Sequence, residues 1–389
     1  MAALLIRNGR VLLPSGWADD TDVRLDGGAI DQIGYGLPSA GARGVYARGL
    51  MVVPGFIDIH IHGAAGALCE DANPGSIVRI SAALARCGVT GFLPTLATLP
   101  ADRLRAAVAA IASSCGSEPG ARILGIHLEG PYLSPLRAGA QAIPWMRLPS
   151  IEEFDELQKV SNARIRLVTV APELDGALPF IAAVRDRGVT VAVGHSNATA
   201  AEMSLGIEAG ATHVTHLFNA MRPLHHREPG VIGVALTDDA LSVELICDGH
   251  HLAPRTVDLA LRCKPVGKAV LVSDAVALGM PEGEHEMFGV SCTVAGGAVR
   301  LREGGNLAGS CLSLDAAVRN VHRWLPQVPL ERVLGAAAAA PAAVINESHT
   351  GIMPIGGAAD LTILDTQLNV VATIARGAIV WHREQSSFA

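Results

Sequence analysis

The chain repeats one kind of unit: an apolar, strand-like run followed by an alanine-rich stretch with helical character. Eight strand candidates cover 55–63, 90–95, 122–130, 164–172, 189–195, 211–219, 242–249 and 268–275. Helical candidates such as SIVRISAALARCG and DRLRAAVAAIASS lie between them, and this alternation predicts a parallel sheet. Eight such units favour a closed α/β fold, a (β/α)8 TIM-like barrel. A doubly wound open sheet is the alternative, but no Gly-x-Gly-x-x-Gly motif opens the first strand-to-helix turn.

Both ends of the chain have a different texture. Short strand-like runs separated by Gly and Asp turns fill residues 1–53, and similar runs return in 346–389. The chain has 389 residues, more than a single hydrophobic core usually serves. We therefore predict the (β/α)8 barrel over 54–345 and one small β-sandwich domain assembled from the two terminal segments.

Composition excludes several classes of partner. Half of the residues are hydrophobic, yet no apolar run approaches the roughly 20 residues of a membrane span. The first residues, MAALLIRNGR, lack the features of a secretory signal, so a cytoplasmic location is expected. The net charge of -7 and the absence of Lys or Arg runs argue against nucleic acid and anionic membranes. Seven scattered cysteines without CxxC pairs predict reduced thiols, and a small molecule is the expected partner.

Metal-binding residue types stand at the ends of the strand candidates. In DIHIH, the side chains of His60 and His62 project from one face of a strand and can hold one divalent cation together. The alternative is two histidines that merely share a polar strand face. The carboxyl ends of barrel strands line one active-site mouth, which would bring this pair close to the other polar strand ends.

Four further strand ends carry Glu129, His195, His216 and Asp274. The order HxH, Glu, His, His, Asp along successive strand ends predicts a metal centre more specifically than any one residue does. Asp274 alone could instead cap the turn that follows it, and His127 and His213 are expected to be satisfied packing residues.

The motifs PGFIDIHIHG, HLEGPYL, GHSNAT, THLFNAM, HREPG, DGHH, VSDA and LAGS together resemble the N-acetylglucosamine-6-phosphate deacetylase family of the amidohydrolase superfamily. The resemblance covers nearly the whole chain. It implies hydrolysis of the N-acetyl group of an amino-sugar phosphate, which releases acetate and the free amine. The galactosamine-6-phosphate deacetylases are close relatives, so the configuration of the sugar stays open.

The resemblance also implies roles for individual residues. Glu129, His195 and His216 match the principal metal ligands, and Asp274 matches the catalytic acid/base. Because His60 and His62 are both present, a second cation held by them with Glu129 and Asp274 is expected as an option. The cofactor is thus one or two divalent cations per subunit, with zinc expected and iron, manganese or cobalt as alternatives. The implied substrate contacts are Ala140, Gln141, Asn219, Ala220, Arg227, His251, Ala308, Gly309 and Ser310.

Arg227 and Gln141 each allow more than one role. The resemblance implies a homodimer in which Arg227 reaches the partner's site, whereas the residues alone also allow a surface ion pair with Glu228. At Gln141 the family often carries a histidine that contacts substrate, so the sugar or acyl group is less constrained here. A glutamine can still donate a hydrogen bond to a carbonyl oxygen.

The sequence disfavours two rival functions. Cyclic-amide hydrolases of the superfamily usually bridge two metals with a lysine at the fourth strand end, and RIRLVTVAPE contains none. A non-catalytic binding protein on a decayed barrel is disfavoured because every ligand position and Asp274 are intact.

Overall fold

The computed structural model describes residues 3–287 and 290–384. Residues 1, 2 and 385–389 of the predicted terminal segments lie outside the described residues.

Strands make up both the barrel and its attachments. They are β1 Leu4–Leu13, β2 Gly16–Asp26, β3 Ala29–Gly34, β4 Arg43–Tyr46, β5 Met51–Pro54, β6 Phe56–Ile61, β7 Gly63–Ala64, β8 Ala67–Leu68, β9 Val89–Leu96, β10 Arg122–Ile123, β11 Ile126–Glu129, β12 Ile165–Val170, β13 Thr190–Val193, β14 His213–Val214, β15 Ser242–Ile246, β16 Ala269–Val272, β17 Gly283–Met287, β18 Val290–Ala295, β19 Ala298–Leu301, β20 Leu307–Ser310, β21 Leu361–Leu364, β22 Val370–Ala375 and β23 Ala378–His382.

Helices follow most barrel strands. They are α1 Pro74–Ala85, α2 Ala101–Ser114, α3 Ile151–Val160, α4 Ala177–Asp186, α5 Ala200–Ala209, α6 Gly230–Thr237, α7 Pro254–Cys263, α8 Leu314–Trp324, α9 Leu330–Ala337 and α10 Ala339–Val344. Short 3₁₀ turns occur at Cys69–Asp71, Pro135–Arg137 and Ile143–Trp145.

The predicted (β/α)8 barrel is confirmed. Parallel pairing runs from β6 through β9, β11, β12, β13, β14 and β15 to β16, and each of the eight candidates contributes a strand. The first and eighth strands meet where the amide of Asp274 donates to the carbonyl of His60 at 2.8 Å. A parallel bridge between Ile61 and Ala275 extends this junction. The third candidate is interrupted after Ile123, so β10 pairs only with β9.

The burial pattern explains why these runs form barrel strands. Every residue of β6, β9, β13 and β16 is buried, because the barrel interior covers one face and the helices cover the other. The helices begin at polar caps where the chain supplies them. Thr199 and Glu202, for example, form a reciprocal capping box at the start of α5.

The predicted small β domain from both termini is confirmed as a separate eight-stranded sheet. Its order is β23-β22-β21-β5-β1-β2-β3, with β4 paired to β1. The two chain ends join where β5 and β21 pair antiparallel, with Val53 opposite Thr362. This sheet has its own apolar core, which includes Ile6, Val23 and Ile363. The exact domain limits at 53/54 and 345/346 stay predictions.

A second, four-stranded antiparallel sheet was not predicted. Strands β17 to β20 follow the eighth barrel strand and form successive hairpins before α8. The last of them returns to the barrel mouth, where the amide of Ser310 donates to the carbonyl of Asp274 at 2.8 Å. Asp274 is therefore hydrogen-bonded through its amide to the first barrel strand and through its carbonyl to the last strand of this sheet.

The cysteines and the helix lengths bear on two expectations from composition. All seven cysteines are free thiols; Cys69, Cys247 and Cys292 are buried and the others are half-buried. Among the described residues, no helix is both long enough and apolar enough to cross a membrane.

Threonine hydroxyls connect the terminal sheet to the barrel. The hydroxyl of Thr362 donates to the carbonyl of Gly88 at 2.6 Å, and that of Thr373 donates to Ala85 at the same distance. Both side chains are fully buried. We predict that Thr362→Val lowers the free energy of unfolding by about 1 kcal/mol, because a buried hydrogen bond is lost without a change in side-chain size.

The urea midpoint of unfolding tests this. The matched control is Thr237→Val, since the Thr237 hydroxyl bonds within an exposed helix end and its loss should leave the midpoint unchanged. Equal midpoints for the two variants would show that the hydroxyl of Thr362 does not stabilise the connection.

Candidate metal centre

The predicted metal-site residues meet at the carboxyl ends of the barrel strands, below a cavity of about 540 Å³. Such a volume suits a small polar molecule. His62, Glu129, His195, His216 and Asp274 line its floor, and His60 lies beneath them, fully buried.

One group of ligands comes from the third, fifth and sixth strands. Glu129 Oε1 lies 3.0 Å from His195 Nε2 and 2.9 Å from His216 Nε2. The two Nε2 atoms are 3.1 Å apart. Three donor atoms at these separations can surround a single divalent cation.

The second group comes from the first and eighth strands. His60 Nε2 lies 3.3 Å from His62 Nε2, and Asp274 Oδ1 lies 3.5 Å and 3.4 Å from these two atoms. Glu129 connects the groups, because its Oε2 is 3.2 Å from His62 Nε2 while its Oε1 belongs to the first group. One carboxylate thus faces both candidate cation positions.

Hydrogen bonds at the far side of three histidine rings determine which nitrogen faces the cavity. His195 Nδ1 lies 3.0 Å from the carbonyl of Arg137, and His60 Nδ1 lies 2.8 Å from Glu244 Oε2. His62 Nδ1 lies 3.3 Å from Glu70 Oε1. A carbonyl or carboxylate oxygen can only accept, so each Nδ1 carries a proton, and it is Nε2 of each ring that faces the cavity and offers a lone pair once it is deprotonated.

The site therefore concentrates lone pairs. Nε2 atoms and carboxylate oxygens face each other within about hydrogen-bond distance in a water-poor environment, so the site requires positive charge, supplied either by protons on the rings or by a bound cation. A divalent cation with nitrogen and oxygen ligands fits this donor set, and the anchored Nδ1 atoms are the usual outer support of metal-bound histidines.

The acid groups of the site are ionised at neutral pH. Burial raises the pKa of Glu129, but His60, His195 and His216 outweigh it and hold that pKa well below its ordinary value. Burial likewise raises the pKa of Asp274, and the charge and hydrogen bonding of His60 and His62 more than reverse this. Asp274 is thus available as a proton acceptor.

The backbone is strained at the site. His195, His216 and Asp274 have φ values of 46°, 27° and 47°, in the left-handed region that favours glycine. Such a conformation costs of order 1–3 kcal/mol per residue and persists only where the surroundings impose it. The amide of Ser134 holds the His195 carbonyl at 3.0 Å, and Ser310 holds that of Asp274. The strain turns each side chain into the cavity.

Most of the predicted substrate contacts line the cavity above this floor. They are Ala140, Gln141, Asn219, Ala220, His251, Ala308 and Gly309. Only glycine fits at 309, because φ is +68° and a Cβ atom would lie 2.9 Å from the Asp274 carbonyl oxygen. His251 is held by Asp248, whose Oδ2 accepts from His251 Nδ1 at 2.7 Å.

Two predicted contacts do not line this cavity. Arg227 is exposed on the loop before α6 and bonds to His226 at 2.8 Å. The alternative ion pair with Glu228 is not seen, since Glu228 accepts from the amides of Ala200 and Gly230.

Ser310 is buried beneath the cavity, where its hydroxyl donates to the Ser273 carbonyl at 2.6 Å.

Gln141 has both ends of its amide engaged. Its Nε2 donates to Glu129 Oε2 at 2.7 Å, and its Oε1 accepts from the amide of Thr98 at 2.7 Å. The residue that replaces the family's histidine therefore supports the bridging carboxylate and fastens the loop over the cavity.

The two histidines expected to be packing residues are hydrogen-bonded inside the barrel. His127 lies 2.8 Å from the Thr169 hydroxyl, and burial with the nearby His60 lowers its pKa to about 3, so it is neutral. His213 bonds to Ser242 and Glu244.

Sequence reasoning missed several residues of the site. Glu244 and Glu70 anchor His60 and His62, and Arg137 and Arg300 line the cavity as additional cations. A glutamate inside the apolar run SVELI was a usable signal for Glu244. Nothing comparable marked Arg300, because its strand belongs to the unpredicted four-stranded sheet.

Known proteins resemble this chain over almost its full length. The model of the amidohydrolase family matches residues 51–380. The N-acetylgalactosamine-6-phosphate deacetylase of Escherichia coli O157:H7 is 38% identical over 372 residues, covering 94% of this chain and 96% of that relative. The N-acetylglucosamine-6-phosphate deacetylase of Vibrio furnissii is 35% identical over 379 residues, covering 96% and 94%.

A solved structure agrees with these relatives. A variant of the Mycobacterium smegmatis N-acetyl-D-glucosamine-6-phosphate deacetylase, in complex with N-acetyl-D-glucosamine-6-phosphate, superposes with a TM-score of 0.91 at 33% identity. The match covers 98% of this chain and all of that one. The chain therefore belongs to the amidohydrolase family and, within it, to the N-acetylglucosamine-6-phosphate deacetylase family.

Proposed function

We propose that the protein removes the acetyl group of N-acetyl-D-glucosamine 6-phosphate, giving D-glucosamine 6-phosphate and acetate, with the help of a bound divalent cation. The observation that carries the proposal is the floor of the cavity. There, histidine Nε2 atoms and the carboxylates of Glu129 and Asp274 converge in two groups, each compact enough to surround one cation.

Two features of an amide make it resistant to hydrolysis: water is a weak nucleophile, and an amine anion is a poor leaving group. A divalent cation, when bound, lowers the pKa of its water ligand and polarises a carbonyl oxygen. Protein groups must then handle the proton, and Asp274 is suited to this because it is ionised and lines the cavity. It accepts a proton from the attacking water and returns it to the departing nitrogen.

The phosphate of the substrate needs cationic groups away from the floor. His251 lines the cavity, as do the guanidinium-bearing residues Arg137 and Arg300. Arg227, exposed on its own subunit, is proposed to reach the site of a partner subunit in a homodimer. An arginine fork pairs well with phosphate oxygens, so these residues are suited to bind the negative end of the substrate.

Deacetylation of the galacto-configured sugar phosphate is the second candidate. It is favoured by the likeness to the Escherichia coli O157:H7 protein, whose name specifies that substrate. The deviating Gln141 lines the cavity above the floor, where it can alter contacts with either sugar. Zinc as the metal, a total of two cations, the homodimer and a cytoplasmic location are further proposals of this assignment.

Asp274→Asn should reduce kcat by about 10² to 10⁴, because the amide cannot accept the proton that the carboxylate takes up. Acetate release is measured at saturating Zn²⁺, with zinc content determined in parallel. The matched control is Asp258→Asn, an isosteric change of a buried aspartate on α7, which should retain the wild-type rate. An Asp274→Asn enzyme within twofold of wild type would remove this residue from proton transfer.

The sugar specificity is tested by comparing kcat/KM on the 6-phosphates of N-acetylglucosamine and N-acetylgalactosamine, with the unphosphorylated sugars as controls. We expect the gluco phosphate to be preferred and both phosphates to exceed the free sugars by at least about tenfold, about 1.4 kcal/mol of binding. A galacto preference would select the second candidate. Equal turnover without phosphate would contradict the roles given to His251 and Arg227.

Gln141→Leu should lower kcat/KM by about 10- to 100-fold, since it removes an outer hydrogen bond to the bridging carboxylate Glu129. Gln141→His should retain most of the activity, because an imidazole can again donate at this position. Gln32→Leu, a change at an exposed residue of the terminal sheet, is the control. Wild-type kinetics for Gln141→Leu would mean that the amide supports neither Glu129 nor substrate.

A further inference from the structure

Glu244 is a carboxylate inside the barrel, below the candidate metal centre. It belongs to β15, is 0% exposed and lies below the floor of the cavity. Its Oε2 lies 2.8 Å from His60 Nδ1 and accepts from the amide of His216 at 2.9 Å. Its Oε1 lies 3.1 Å from His213 Nε2.

These contacts couple Glu244 to both groups of metal ligands. The bond to His60 Nδ1 fixes the tautomer and the plane of that ring, so Nε2 must face His62 and Asp274. The bond to the His216 amide holds the strained backbone that presents the other group's histidine. No other carboxylate among the described residues contacts His60 through Nδ1.

The position of the charge is unusual for a residue with only a packing role. Removing a carboxylate from water is costly, and replacing a buried ion pair with apolar residues is often neutral or even stabilising. The carboxylate of Glu244 instead contacts three groups: His60 Nδ1, the amide of His216 and His213 Nε2. His213 is itself fixed by Ser242, 2.8 Å from its Nδ1.

We propose that Glu244, supported by His213, is the positioning residue that makes the His60, His62 and Asp274 group competent to bind a cation. This inference rests on the proposed metal-dependent function. It deepens that function because Glu244, which is not itself a ligand, would orient the residues that bind the second cation. The group of Glu129, His195 and His216 depends on Glu244 only through a backbone bond, so its cation should be affected less.

The experiment titrates Zn²⁺ into metal-free protein against a chromophoric chelator, with bound zinc counted by elemental mass spectrometry. Wild type should take up two cations per subunit. Glu244→Gln keeps the shape of the side chain but loses its charge, and it should weaken one binding step by about 10- to 100-fold while the other step stays close to wild type. His60→Ala is the reference for complete loss of the same step.

Glu118→Gln is the matched control, because the Glu118 side chain is likewise buried, at 2% exposure. It contacts Arg376 and the amide of Ile123 and no residue of the cavity floor. It should leave both binding steps unchanged. The melting temperatures of the metal-free proteins are measured as well. A purely structural role for Glu244 would lower melting without separating the two binding steps.

His213→Leu serves as the second variant if Glu244→Gln does not fold, since it removes the other ring that holds the carboxylate. It should weaken the same step by a smaller factor. The inference is overturned if wild type binds a single cation, or if these variants leave both steps unchanged or weaken both equally. Two normal cations without deacetylation in wild type would instead refute the proposed function and leave the role of Glu244 standing.

Discussion

The convergence of nitrogen and oxygen ligand atoms at one rim of the barrel is the constraint on which the rest of the site depends. Four histidine Nε2 atoms and two carboxylates lie within a few ångströms of each other, with His195 and His216 only 3.1 Å apart at Nε2. Outside a rigid scaffold, side chains would turn away from such a cluster. The closed barrel prevents this because the ligands stand at or just after the ends of five different strands, with His60 and His62 sharing the first, and because the junction between the first and eighth strands contains Asp274 itself.

Much of the surrounding structure holds these ligands in place. Glu244, Glu70 and the carbonyl of Arg137 each engage the far nitrogen of one ring, so the near nitrogen is left to face the cavity. Positive φ angles at His195, His216 and Asp274 show that the backbone, too, is held away from its preferred conformation. The large apolar core beneath the rim offsets the free-energy cost of this strain. Strands such as β9 are buried there along their entire length.

The additions to the barrel contribute differently. The terminal sheet is connected to the amino-terminal side of the barrel strands, near Gly88 at the start of β9, and so takes no direct part in the cavity. The four-stranded sheet after the eighth strand, in contrast, places Ala308 and Gly309 in the cavity wall and brings Arg300 to it. A loop after the third strand covers the other side and is fastened by Gln141. The possible metal ligands are thus confined to the floor, and the inserted segments form much of the cavity wall.

The sequence by itself determined the barrel, because the period and the length of the apolar runs are local properties, and the same pattern recurs in eight successive units. It also determined the ligand types, since Glu129, His195, His216, Asp274 and the HxH pair stand at strand ends, and strand ends share a rim in this fold. Only the tertiary structure decided which nitrogen each histidine presents, that Glu244 joins two strands to the site, and that Gln141 bonds to Glu129 instead of facing substrate freely. These facts depend on contacts between residues such as His60 and Glu244, 184 positions apart. No local pattern encodes a hydrogen bond of that range, because its partners become neighbours only when the barrel closes.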